Sequence, residues 1–136
     1  TGSPMGALVF ALPGKRLVVE ASLRQVFHDD ARVTPERVSE YLAAARRPGT
    51  FAALRSLGAS LEGRSSLVAE SLPLVEARTL VLWGGEDRWI PPAHAERFAA
   101  AIPGARKVVI PGCGHVPQEE VPAEVARLLL EFLSAS

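Results

Sequence analysis

Apolar residues recur at helical spacing along the first part of the chain and in short continuous runs along the second. From Lys15 to about His28, the positions of Val18, Ala21, Val26 and Phe27 predict a helix, which His28-Asp29-Asp30 ends. A second helix starts at Thr34-Pro35-Glu36. Thr34 is a capping residue, Pro35 suits the first helical position, and Glu36 favours the positive end of the helix dipole. Val33 and Val38 stand at staple spacing across that cap, and Val38, Leu42 and Ala45, with Tyr41 beside them, form one stripe that Pro48-Gly49 stops. A third helix is expected from Phe51 to Leu61, with Phe51, Leu54, Leu57 and Leu61 on one side. Ser65 or Ser66 is a candidate cap for a short fourth helix ending before Pro73.

The pattern then changes. Leu80 to Trp83 is continuously apolar, which predicts a parallel strand covered on both faces. Pro92 opens a helix through Ile102, with Ala95, Phe98, Ala99 and Ile102 turned inward, and Pro103-Gly104 closes it. Lys107 to Ile110 reads as the next strand. Pro122 opens the last helix, with Val125, Leu128, Leu129 and Phe132 as its buried stripe. The fold class is therefore α/β. Residues 5–75 are expected to form a mostly helical region, beginning with the short apolar run Met5 to Leu12. Residues 76–136 are expected to form a β-α-β-α unit with parallel strands. Thr1 to Pro4 reads as a scar left by expression. Two parallel strands are too few to be stable alone, so further structure is expected to pair with them.

Two strand ends carry candidate chemistry. The run Thr79-Leu80-Val81-Leu82-Trp83-Gly84-Gly85-Glu86-Asp87 turns through two glycines and delivers an acid. The run Val108-Val109-Ile110-Pro111-Gly112-Cys113-Gly114-His115 ends in a glycine-flanked loop and delivers a histidine. A serine hydroxyl attacks poorly until a base removes its proton, and an imidazole does this near neutral pH. One ring nitrogen must face the nucleophile, so the other needs a fixed acceptor, which a carboxylate supplies. Loops at the carboxyl ends of parallel strands converge on one crevice. For either residue alone the plainer alternative is local: Asp87 caps the turn before Pro91-Pro92, and His115 is a loop histidine. Their joint placement favours a catalytic pair.

Trp83-Gly84-x-x-Asp87-x-x-x-Pro91, followed by Gly112-x-Gly114-His115 and Glu120-x-Pro122, resembles the C-terminal part of an α/β-hydrolase. The resemblance is specific from Ala77 to Leu133 and weaker from Thr34 to Leu61, which is similar to the helical cap of that family. It implies that Asp87 is the triad acid and His115 the base, in the family's order of nucleophile, acid and base. It also implies that the N-terminal half, with its oxyanion loop and G-x-S-x-G nucleophile turn, is absent. On that basis the chain alone is expected to be inactive. A non-catalytic interaction or self-assembling domain derived from the same fold is the alternative. Esterase, lactonase, epoxide hydrolase, dehalogenase, carbon–carbon hydrolase and haloperoxidase chemistries stay open.

No residue of the chain reads as the nucleophile. Gly58-Ala59-Ser60-Leu61-Glu62 lacks the second glycine of the motif by one position, so Ser60 reads as a helix-end serine. Cys113 sits two residues from His115 in one loop and reads as a small buried thiol. Glu86 is the neighbouring carboxylate that the family pattern passes over. Glu120 is expected to bond backbone at the start of the last helix, Glu119 to be solvated, and His94 to lie on the surface.

Composition narrows the partners. Apolar residues make up 48% and charged residues 22%, which is globular, and 15 basic residues balance 15 acidic ones. Nucleic acid is therefore an unexpected partner. One cysteine excludes an internal disulfide and suits a reducing cytoplasm. No cofactor or metal is implied: adjacent residues such as His28-Asp29-Asp30 seldom converge on one ion. The longest apolar runs reach six residues, too short to span a membrane, and no basic stretch marks a signal peptide at the start. A small-molecule substrate is implied for the whole hydrolase. The uncovered sheet predicts a homodimer or higher oligomer.

Overall fold

A computed structural model describes residues 14–61 and 69–135. Among the described residues three helices come first: α1 (Lys15–Val26), α2 (Pro35–Ala45) and α3 (Thr50–Leu61), with a 3-10 turn at Asp30–Arg32 between the first two. Residues 69–71 are α-helical and stop before Pro73, as expected, and a 3-10 turn at Leu72–Leu74 follows. Ser65 and Ser66 lie outside the described residues. The order then becomes β1 (Leu80–Gly84), α4 (Ala93–Ala101), β2 (Arg106–Ile110), α5 (Pro117–Glu120) and α6 (Pro122–Ser134). β1 and β2 pair in parallel, Leu80 opposite Arg106 through Gly84 opposite Ile110. Helices joined to a parallel strand pair make a partial α/β fold.

Local chemistry accounts for the boundaries. Thr34 Oγ1 accepts the Arg37 N–H at 3.3 Å, and Pro35 takes the first helical position, where a missing N–H costs nothing. Val33 and Val38, the two staple positions, are both buried. α1 ends at Phe27, whose backbone turns extended and whose ring is wholly buried.

Two apolar clusters hold the elements together. The first joins Leu23, Val26 and Phe27 of α1 and its end to Val33, Val38 and Leu42, with Tyr41 and Val116 packed against it. Val116 belongs to the loop after β2, so this core ties the helical region to the second part of the chain. The second cluster joins Ile110, Cys113 and Leu128, flanked by Leu82, Val108, Val121 and Val125.

Two burial expectations are overturned, that for Leu129 and that for both faces of β1. Val18 and Ala21 of α1, which mark the helix, are exposed, and Leu23 joins Val26 and Phe27 in the buried contact. Leu54 and Leu57 of α3 are exposed. Leu129 of α6 is also exposed, while Leu128 is buried. In β1, Val81 and Gly84 are buried but Leu80, Leu82 and Trp83 are only half-covered. The incomplete cover accompanies a sheet of two strands among the described residues.

The contrast between the filled core and the open stripe is measurable. Phe27→Ala should cost about 3–5 kcal/mol, the usual range for emptying a buried aromatic site. Leu57→Ala, at a position 54% exposed, should stay within about 0.5 kcal/mol. Urea denaturation of the two variants beside the parent chain checks the difference.

Candidate active site

β1 and β2 run in the same direction, so their carboxyl ends deliver loops to the same side. The close approach of those loops depends on glycine. A Cβ built on Gly84 would lie 1.8 Å from the Gly114 carbonyl oxygen, and one on Gly114 would lie 2.4 Å from that of Val26. No side chain fits at either place. Backbone bonds then join the two loops: Gly85 N–H donates to Ile110 at 2.8 Å, and Glu86 N–H donates to Cys113 at 2.8 Å. The Glu86 side chain itself is exposed.

Asp87 follows this junction. Its Oδ1 accepts the N–H groups of Trp89 and Ile90, each at 2.9 Å, forming a turn closed on the far side by Trp83 Nε1 donating to the Ile90 carbonyl at 3.1 Å. Its Oδ2 lies 2.8 Å from His115 Nδ1. The two residues that the sequence singles out are thus brought together, with the aspartate side chain 2% exposed and the histidine side chain 29% exposed. Burial opposes the Asp87 charge. The Ile90 N–H, the His115 ring and the Trp89 N–H outweigh it and hold the carboxyl below its ordinary value.

His115 is positioned by its own backbone, whose N–H donates to Val26 at the end of α1 at 2.8 Å. The Trp89 ring leans over the imidazole, with centroids 5.4 Å apart and planes 41° apart. Among the described residues no group hydrogen-bonds the second ring nitrogen, Nε2. His115 and Asp87 line a cavity of about 360 Å³, whose other walls include Leu82, Trp83, Ile90, Val125, Leu129 and Gln118. That lining is mostly apolar with few polar groups, as ligand sites are.

Two glutamates depart from expectation. Glu120 does not bond at the start of the last helix. Its side chain is buried, and it bridges two distant backbone amides, those of Gly114 and His28. The His28 contact spans 92 residues, so no local pattern could announce it. Glu119 is not simply solvated: it accepts the Tyr41 hydroxyl at 2.7 Å. Burial and this bond to the Glu119 carboxylate push the Tyr41 phenol up to about 12. The short helix α5 that carries both glutamates was unmarked in the hydrophobic pattern because it is a single turn.

The remaining candidates are plain. Cys113 is buried, and burial together with the nearby Glu120 charge pushes its thiol up to about 11, which keeps it out of the reactive thiolate form. Ser60 donates to the Leu57 carbonyl within α3 at 2.8 Å. His94 is half-buried rather than on the open surface. Among the described residues no cluster of His, Cys, Asp and Glu could hold a metal ion, and no helix is long and apolar enough to cross a membrane.

Residues 2–128 match the alpha/beta hydrolase family. The chain is 31% identical over 125 residues to the dihydrolipoyllysine-residue acetyltransferase component of the acetoin cleaving system of Pseudomonas putida. That match covers 91% of this chain and 33% of the relative. It is 40% identical over 67 residues to the 2-hydroxy-6-oxo-6-phenylhexa-2,4-dienoate hydrolase of Burkholderia cepacia, covering 49% of this chain and 23% of that one. Among solved structures, the meta-cleavage product hydrolase of Pseudomonas fluorescens IP01 superposes with a TM-score of 0.74 at 24% identity, covering 92% of this chain and 47% of that one. A thermophilic esterase of Thermogutta terrifontis gives 0.71 at 28% identity, covering 94% and 46%. The chain therefore spans about a third of the first relative and about half of these structures.

The Asp87 bonds have a pH signature. A carboxyl held below its ordinary value contributes stability that is fully present above the unfolded pKa of about 3.9 and is lost as pH falls through the lower folded value. Asp87→Asn removes that contribution. The stability gap between the parent chain and Asp87→Asn should be widest near neutrality and shrink below about pH 4, as urea midpoints taken across that range will record.

Proposed function

The chain belongs to the alpha/beta hydrolase family, and from that premise we propose that it carries the acid and base halves of a hydrolytic triad whose nucleophile comes from outside this chain. The observation that carries this reading is the 2.8 Å contact between Asp87 Oδ2 and His115 Nδ1 at the wall of an apolar cavity. With Nδ1–H donated to Asp87, Nε2 is the basic nitrogen. It removes the proton of a hydroxyl nucleophile as that oxygen attacks a carbonyl carbon. Asp87 stabilises the imidazolium that results, and His115 then returns the proton to the departing group. A water molecule, deprotonated by the same Nε2, releases the acyl product.

The substrate class we propose is a small carbonyl compound with an apolar acyl or aryl portion. Leu82, Trp83, Ile90, Val125 and Leu129 offer that portion apolar walls. The similarity to dienoate hydrolases and to an esterase supports a carbonyl centre, the feature that ester cleavage and ketone carbon–carbon cleavage share. Residues 5–75 act in this reading as the cap over the cavity and residues 76–136 as the part of the core that bears the acid and base.

A second reading, association through uncovered surface, rests on a different observation. Leu129, Leu130 and Leu133 of α6 and Val109 of β2 are exposed. Covering a few hundred Å² of such surface favours association by several kcal/mol at about 25 cal/mol per Å². A two-fold homodimer is the simplest closed arrangement.

Two measurements test these readings. A fluorophosphonate probe should leave the chain unlabelled, and its ester turnover should not exceed that of His115→Ala, since base and acid without a nucleophile give little. Stoichiometric labelling of Ser60, lost in His115→Ala, would place the nucleophile inside the chain. Light scattering after size exclusion at micromolar concentration should report more than the 14.5 kDa of one chain. A cooperative monomer would remove the association reading.

A further inference from the structure

Glu120 is a carboxylate 1% exposed, and the proton transfers proposed for His115 make no use of it. A buried carboxylate is costly unless its oxygens are satisfied. Both are: Oε1 accepts the Gly114 N–H at 2.6 Å, and Oε2 accepts the His28 N–H at 2.9 Å. Gly114 is the residue before His115. His28 lies two residues past Val26, whose carbonyl accepts the His115 N–H at 2.8 Å. The bonds therefore close a ring: from α1's end to His115 directly, and from Gly114 back to α1's end through Glu120. On the other side, the Cys113 carbonyl takes the Glu86 N–H. Three consecutive residues of the histidine loop thus have their backbones fixed from outside it, and only the central one's backbone is held by a side chain.

We propose that Glu120 is a positioning residue for His115, setting the Gly114–His115 peptide against the end of α1 so that Nδ1 meets Asp87. The proposal rests on His115 being the base. Glu120 lies in the second half of the chain and His28 in the first, so the same carboxylate couples the helical region to the histidine. A displacement of α1 moves His28 and Val26 together, and the imidazole with them. Glutamine cannot replace it. Both neighbours are N–H donors, and an amide offers one acceptor oxygen and one NH2 group, so either Gly114 or His28 faces a second donor.

Nitrogen-15 histidine NMR of the full chain tests this. The parent should show a protected Nδ1–H proton, lost in both His115→Gln and Asp87→Asn. In Glu120→Gln, exchange of that proton and of the Gly114 amide should rise by about tenfold or more, while the β1 amides stay within about threefold of the parent. Ile102→Ala, a core truncation outside both apolar clusters, should leave the Nδ1–H signal in place, which separates positioning from general destabilisation. Should Glu120→Gln not fold, His28→Pro removes the Oε2 donor alone and should raise the same two exchange rates. Unchanged Nδ1–H and Gly114 exchange in the folded variant overturns the role of Glu120. Absence of the protected proton in the parent itself overturns the Asp87–His115 pairing, and the proposal with it.

Discussion

The arrangement depends on two peptide backbones lying where no side chain can come between them. Gly84 ends β1 and Gly114 precedes His115, and the carbonyl of the second sits where a Cβ of the first would be. This contact sets the distance between the acid loop and the histidine loop. Everything that follows is a consequence of that spacing: the Glu86 bond to Cys113, the reach of Asp87 to Nδ1, and the angle at which Trp89 meets the imidazole. A wider junction would leave Asp87 bonded to its own turn and His115 without an acceptor.

Electrostatics at the site is organised by pairing buried carboxylates with backbone donors. Asp87 is held by two N–H groups and a ring nitrogen, and Glu120 by two N–H groups. Neither needs a cationic side chain. Backbone donors are rigid and cannot rotate away, so they fix position as well as compensate charge. The surface pairs of the chain, such as Arg127 with Glu124 and Glu131, are exposed and add little by comparison.

Much of this was legible in the residue order because it is local. Thr34-Pro35 marks a helix start whose cap needs only neighbouring atoms, and the continuous run at Leu80–Trp83 needs only strand propensity and burial. The glycines flanking Asp87 and His115 carried the site itself. What was illegible depends on distant contacts. Glu120 reaches back to His28, and Tyr41 to Glu119, across separations that no spacing rule covers. The burial of Leu129 in α6 and of both faces of β1 was misjudged for a related reason. Periodicity identifies a stripe, but what packs on it is decided by other elements, and Leu54 and Leu57 are exposed.

The two oxygens of Asp87 do separate work, one folding the turn at Trp89 and Ile90 and the other facing the imidazole. The single methylene of aspartate therefore acts as a ruler with both ends fixed. A glutamate would have to abandon either the turn or the ring, although its charge is the same. The choice between the two acids at this position is limited by reach rather than by charge.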